Sequence, residues 1–258
     1  MTPSSDPGQR PELLWVDKTL IDVDKRYQRE VSRQGIIHVN GILRDFEWRY
    51  FQVISVTPNK GRYFAIDGQH RWLAAMRHPL VTEVPCLVLP AMDLRQQAKV
   101  FDIMNTKRLG ITSLAKHHAA VAAGDPKAMR IDYICSEAGV TVLKTVPQGG
   151  ALPALSLVSV ATLGKFFHYG DALLIAAMSA MAEAWPDRAG GFRAANVAMT
   201  IMASADLGPD FSLQRMKNVL RRWNDGEEYL KAYTERSERG GIVERILARR
   251  LAEAYRGQ

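Results

Sequence analysis

Tyr63-Phe64-Ala65-Ile66-Asp67-Gly68-Gln69-His70-Arg71-Trp72-Leu73-Ala74-Ala75 reads as a strand, a tight glycine turn and a helix whose first turn is polar and cationic. Such a helix start offers backbone N–H groups with no acceptor inside the helix, together with the positive end of its dipole, and both suit phosphate. Gly68 lets the backbone approach a ligand, and Arg71 can add a bidentate contact to phosphate oxygens. His70, beside Gln69, can donate to phosphate or move a proton near neutral pH. Asp67 repels phosphate unless a metal ion bridges the two, which points to Mg²⁺ held at Asp67. A plainer reading uses the same residues: Asp67 caps the helix, and His70 and Arg71 are solvated first-turn side chains. Composition alone leans toward the plainer one.

Working outward, Phe51 to Thr57 alternates as a strand does, Pro58-Asn59-Lys60-Gly61 supplies a turn, and Arg62 to Ile66 returns, predicting a β-hairpin. The helix from Gln69 stops at Arg77, ahead of Pro79. Val84 to Leu89 is a short, nearly all-apolar strand, as for a strand covered on both faces. A helix over Leu94–Met104 leads into the loop Asn105-Thr106-Lys107-Arg108-Leu109-Gly110, where Asn105 can orient a nucleotide or a metal and Lys107 and Arg108 can hold phosphate or a nucleic-acid backbone, or which is simply a solvated loop with a helix stop at Gly110. Upstream, Val31 to Leu43 is a helix candidate weakened by Gly35 and Gly41. Residues 1–12 read as a disordered lead, order begins near Leu13, and Ile21 to Arg33 is densely charged.

After Thr112 the periodicity is helical almost throughout, with breaks at Gly124-Asp125-Pro126, Pro147 to Pro153, Trp185 to Gly191 and Leu207 to Pro209. The expected fold class is therefore α+β: a small mixed α/β domain over 13–112, then an all-α domain of about six helices over 113–258.

The 258 residues, 47% hydrophobic and 24% charged, describe an ordinary globular chain. A net charge of +7 and a pI near 9.5 favour phosphate-bearing partners, and the excess is spread over both halves rather than held in a basic tail. Cys86 and Cys135 lack metal or redox spacing. Met1 to Pro11 lacks the apolar core of a signal peptide and no run of 18 apolar residues occurs, so a cytoplasmic location without membrane contact is expected. In the second half Lys116-His117-His118 reads as surface. Leu213 to Trp223 is an amphipathic helix carrying Arg215, Lys217, Arg221 and Arg222, which either lie on DNA phosphates or form a solvated face. Val243 to Tyr255, with Arg245, Arg249, Arg250 and the adjoining Arg256, has the same ambiguity.

Residues 20–112 resemble the ParB/sulfiredoxin superfamily, in particular its DGQHR-type members. The resemblance rests on three features in chain order: Tyr27-Gln28-Arg29 at the place of an upstream arginine motif, Ile66-Asp67-Gly68-Gln69-His70-Arg71 with Ala74-Ala75, and Glu83-Val84-Pro85 entering the next strand. It implies a nucleoside triphosphate, CTP or ATP, with phosphates over the glycine turn and Arg29 reaching in. Gln69 stands where sulfiredoxins carry their redox cysteine, which disfavours that activity. The chromosome-partition Gly-Glu-Arg-Arg box becomes Gly68-Gln69-His70-Arg71, and no helix-turn-helix signature follows. The resemblance implies a DNA-associated, nucleotide-binding protein of a bacterium, phage or mobile element, with NTP hydrolysis or DNA cleavage as its chemistry, Asp67 and His70 as catalytic groups, and homodimerisation left open. Its rivals are an ATP-dependent kinase using Asp67 or Glu30, and a DNA-binding repressor with a degenerate pocket.

Overall fold

The computed structural model describes residues 5–28, 30–106, 110–149 and 151–257. Their contacts fall into two compact units, one up to Leu109 and one from Gly110.

In the first unit β1 (Glu12–Asp17), β2 (Ile21–Asp22), α1 (Arg33–Arg44), β3 (Ile54–Asn59), β4 (Arg62–Asp67), α2 (Gln69–Arg77), β5 (Glu83–Val88) and α3 (Leu94–Thr106) follow in order. The five strands form one mixed sheet in the order β1-β5-β3-β4-β2. β3 and β4 make the predicted hairpin, but its strands run further into the expected turn. Asn59 pairs with Arg62, leaving Lys60 and Gly61 as a two-residue loop with φ of 48° and 78°. Pro58 is tolerated in β3 because pairing with β5 ends at Val56, so at Pro58 the strand has a partner on one side only. β4 buries Ala65 and Ile66, whose side chains alternate across the sheet, so both faces are covered.

β1 and β2 were not expected. Leu13-Leu14-Trp15-Val16 shows no alternation to betray a strand, and only Val16 of the four is buried. The segment after β1 anchors α2. The Lys18 ammonium donates to the carbonyls of Ala75 and His78, both at 3.0 Å, and so satisfies C-terminal carbonyls of that helix. Trp72 Nε1 donates back to the Lys18 carbonyl at 3.0 Å. α1 begins after Ser32, whose hydroxyl accepts from the Gly35 N–H. α3 runs through Asn105 and Thr106, two residues beyond the expected helix end, and their side chains donate back to the carbonyls of Phe101 and Asp102.

The second unit contains α4 (Ser113–Ala122), α5 (Pro126–Glu137), β6 (Thr141–Val142), β7 (Ser156–Leu157), α6 (Val160–Gly164), α7 (Asp171–Ala184), α8 (Ala194–Leu207), α9 (Leu213–Arg222), α10 (Asp225–Arg239) and α11 (Val243–Arg256). Eight α-helices thus stand among the described residues instead of about six. Gly170, at φ 83°, separates α6 from α7, and Trp223-Asn224 and Gly240-Gly241 cut the last stretch into three. The unit is helical as expected, with one small addition: β6 and β7 pair in parallel as a two-residue ladder. Leu174, Met178 and Met181 of α7 and Val197, Met199 and Ile201 of α8 lie at the centre of its core, with α11 against α8 and α9 against α7. No described helix is long and apolar enough to cross a membrane.

Candidate functional site

The hairpin delivers Asp67 and Gly68 to the start of α2, and the geometry there follows from the glycine. Gly68 sits at φ 98°, in the left-handed region that a side chain makes costly, and its carbonyl accepts from Trp72 N–H at 2.9 Å as the first turn of the helix. It is the N-cap and brings no side chain to cap the first-turn N–H groups, so Asp67 does not play the capping part that the plainer reading gave it. Instead the Asp67 carboxylate accepts from the Arg71 guanidinium at 2.9 Å, one turn along. That guanidinium also donates to the Val53 carbonyl at 3.0 Å and to Gln52 Oε1 at 3.3 Å. It lies under Gly68 so closely that a β-carbon there would stand 3.1 Å from it. Arg71 is therefore mostly buried, its side chain 15% exposed, and props the turn rather than standing solvated on the helix.

His70 packs toward α1. Its ring meets that of His38 edge-on at 5.4 Å between centroids, and a β-carbon at Gly35 would stand 2.8 Å from its Nε2. The glycine that weakens α1 as a sequence thus admits the His70 ring. On the other side Gln28 is buried and donates to the Ala65 carbonyl of β4, while Tyr27 meets Phe101 of α3 at 5.7 Å and donates to Gln97 Oε1 at 3.2 Å. Asp24 anchors this segment by accepting from Arg26. The bond holds its carboxyl below the usual aspartate range.

Gln28, His38, His70, Arg71 and Phe101 border a cleft of about 530 Å³. It brings together Asp67, Gly68, Gln69, His70, Arg71 and Asn105, all named from the sequence. Asn105 reaches it from the last turn of α3 and not from a loop. Sequence reasoning missed His38, Tyr50 and Gln52 as lining residues and quoted Gln28 only as part of a motif. No local pattern marks the first three, which arrive through folding of α1 and the segment after it. Arg29, Lys107 and Arg108 lie outside the described residues. Among the described residues Asp67 is the single carboxylate lining the cleft, and no group of three or more His, Cys, Asp or Glu side chains is placed to hold a metal. One carboxylate fits a Mg²⁺ carried in on a triphosphate better than a resident ion caged by protein. The two thiols are remote from this chemistry in character: burial pushes both Cys86 and Cys135 up to about 12.

In the second unit the basic helix α9 buries Met216, Val219 and Leu220 as its periodicity predicts. Of its cations, Lys217 is paired with Glu183 at 2.6 Å, and Arg215 lies 4.6 Å over the Tyr255 ring. Arg221 and Arg222 are exposed. On α11, Arg249, Arg250 and Arg256 are each paired with a carboxylate, of Glu235, Glu228 and Asp206. The pair His117-His118 is not a surface feature. His117 follows Leu114 on the inner face of α4, is buried, and donates to Asp132 at 2.7 Å, while His118 donates to the Leu143 carbonyl at 3.0 Å.

No curated protein matches the chain. Among solved structures, the C-terminally truncated chromosome-partitioning protein ParB from Caulobacter crescentus complexed with CTP-gamma-S aligns over 93% of this chain and 98% of that one, at 16% identity and a TM-score of 0.37. The same protein complexed to the centromeric parS site aligns over 95% and 100%, at 14% identity and a TM-score of 0.32. Superpositions this loose leave the fold to be argued from the chain's own residues. Residues 23–257 match the model of a family of unknown function, DUF6551, and the chain belongs to that family.

Proposed function

We propose that the first unit binds a nucleoside triphosphate, CTP or ATP, with its phosphates over Gly68, and that the chain is a ParB-like protein that works on DNA. The observation that carries this reading is the helix start at Gly68: a left-handed N-cap without a capping side chain, opening into a polar cleft. The first-turn N–H groups of α2 take the phosphate oxygens, Gln69 and Asn105 orient the ligand, and Arg29 and Lys107 add charge. Arg71 fixes the turn through Asp67 and Val53, so its contribution to affinity runs through the shape of Gly68. When Mg²⁺ is bound it neutralises phosphate charge beside Asp67. His70, packed against His38 of α1, is the residue to which we assign proton transfer in any hydrolysis. DNA contact falls to Lys107 and Arg108 in the first unit and to Arg215, Lys217, Arg221 and Arg222 in the second.

Calorimetry of the full chain with each of the four NTPs, with and without Mg²⁺ and duplex DNA, tests the reading. Micromolar binding of one or more triphosphates, lost on Gly68→Val, is expected. Failure of every triphosphate to bind at millimolar concentration overturns it.

A further inference from the structure

A cleft in the second unit plays no part in the function proposed above. It lies among α4, α5, α6 and the turn Phe167–Tyr169, has a volume of about 660 Å³, and is lined by Lys127, Arg130, Lys165, His168 and the Asp132-bound His117 over apolar side chains that include Ile131 and Val160. Lys127 and Arg130 are three residues apart on α5 and so share a face. Lys165 follows α6, and His168 belongs to the turn, so three separate elements supply these polar side chains.

Their charges are not equally committed. Arg130 Nε donates to Asp171 at 2.6 Å, another of its nitrogens donates to the Phe167 carbonyl at 3.1 Å, and the guanidinium lies 4.3 Å over the Phe167 ring. It is a fixed wall whose charge Asp171 offsets. Lys127 and Lys165 are exposed at the rim and, among the described residues, neither is paired with a carboxylate, in contrast to the arginines of α11. Two uncompensated ammonium groups lining one hollow with an apolar floor suit an anion that has an apolar body. The volume is that of a small-molecule site. A phosphate ester suits it better than a carboxylate, since three terminal oxygens accept from donors on several sides at once.

We propose that this cleft is a binding site for a phosphate ester, with the phosphate held by Lys127, Lys165 and His168 and the organic part over Ile131 and Val160. The ester is either a free small molecule or a backbone phosphate of nucleic acid, and the test separates the two. The chain has six histidines, of which His117 and His168 line this cleft while His38 and His70 line the one in the first unit. Their ring resonances, assigned with single His→Gln variants, therefore report each cleft by itself. The full chain is titrated with orthophosphate, with AMP and with a short DNA duplex.

A shift of the His168 ring is expected, with the apparent affinity falling roughly tenfold or more in K127Q/K165Q and retained in K127R/K165R. Both lysines are exposed, so these variants should melt with the parent. A shift with AMP but not duplex assigns a free ester, and the reverse assigns a nucleic-acid backbone. A His168 ring unmoved by all three ligands, or moved equally in K127Q/K165Q, overturns the proposal. Shifts confined to His38 and His70 would do so too, while leaving the nucleotide cleft standing.

Discussion

Replacing Gly68 by alanine is the smallest change that tests the glycine turn. Two costs can be read from the structure. A residue with a side chain at φ 98° gives up about 1–2 kcal/mol relative to glycine. The new β-carbon would also stand 3.1–3.3 Å from three atoms of the Arg71 guanidinium, which must retreat by a few tenths of an ångström and loosen its 2.9 Å bond to Asp67. Hydrogen bonds to charged groups contribute about 1.5–3 kcal/mol, and a partial loss brings the total to roughly 2–3 kcal/mol. In a domain of about a hundred residues each kcal/mol moves the midpoint by about 4–8 °C, so the first unit should melt lower by roughly 10 °C or more. NTP affinity should fall by about tenfold or more, because the same shift closes the approach to the helix start.

Differential scanning calorimetry with nucleotide titration measures both effects. The Arg71→Ala background provides the control: with the guanidinium gone, Gly68→Ala should cost only its backbone strain, giving a coupling energy of about 1 kcal/mol between the two sites. A Gly68→Ala protein that melts with the parent and binds NTP equally well would refute the reasoning. A zero coupling would refute the part assigned to Arg71.

Gly35→Ala should raise the helix propensity of α1 yet weaken NTP binding, because the new methyl would stand 2.6 Å from Val31 Cγ1 and 2.8 Å from His70 Nε2; a variant more stable than the parent with unchanged affinity would contradict this. Asp24 has its folded pKa depressed by Arg26, so its contribution is present above the ordinary aspartate pKa of about 3.9 and is lost as pH falls through the lower folded value. The stability gap between parent and Asp24→Asn in urea should therefore be full at neutral pH and shrink in acid, and a gap that grows in acid would reverse the assignment. Charge reversal at Arg215, Lys217, Arg221 and Arg222 should weaken DNA binding and reduce the salt slope by about one unit per lost phosphate contact while sparing NTP affinity. Lys217, already paired with Glu183, should contribute least, and undiminished DNA binding would make α9 a solvated face only. A chain ending at residue 112 should still bind NTP in calorimetry, and its failure to bind while folded would place part of the site beyond that point.

The segment around Gly68 was legible because its information is local. Strand alternation, a glycine and a polar helix start lie within a dozen residues, and α2 begins and ends where the sequence puts it. The division of labour inside the segment was not legible. Whether Arg71 faces solvent or props Asp67 depends on the Val53 carbonyl and Gln52, which reach it from the chain ahead of β3. His38 joins the site through the packing of α1 on α2, a contact eased by Gly35, whose sequence signal is only that of a poor helix former. In the second unit the basic faces of α9 and α11 were visible as periodicity. Their ion pairs were not, since Glu183, Glu228 and Asp206 lie on other helices.

The place of β1 bears on how the chain can be cut. The family match begins at residue 23, yet β1 covers residues 12–17 and fastens one whole side of β5 through six residue pairs, from Glu12 opposite Val88 to Asp17 opposite Glu83. A gene trimmed to the family boundary would lose that strand, together with the buried Ile21 and the Lys18 clamp on α2. What remains would present the bare edge of β5, Val84 and Cys86 included, as a template for another chain. Expression of the family segment by itself should thus yield inclusion bodies, and insolubility there would say nothing about the activity of the intact chain.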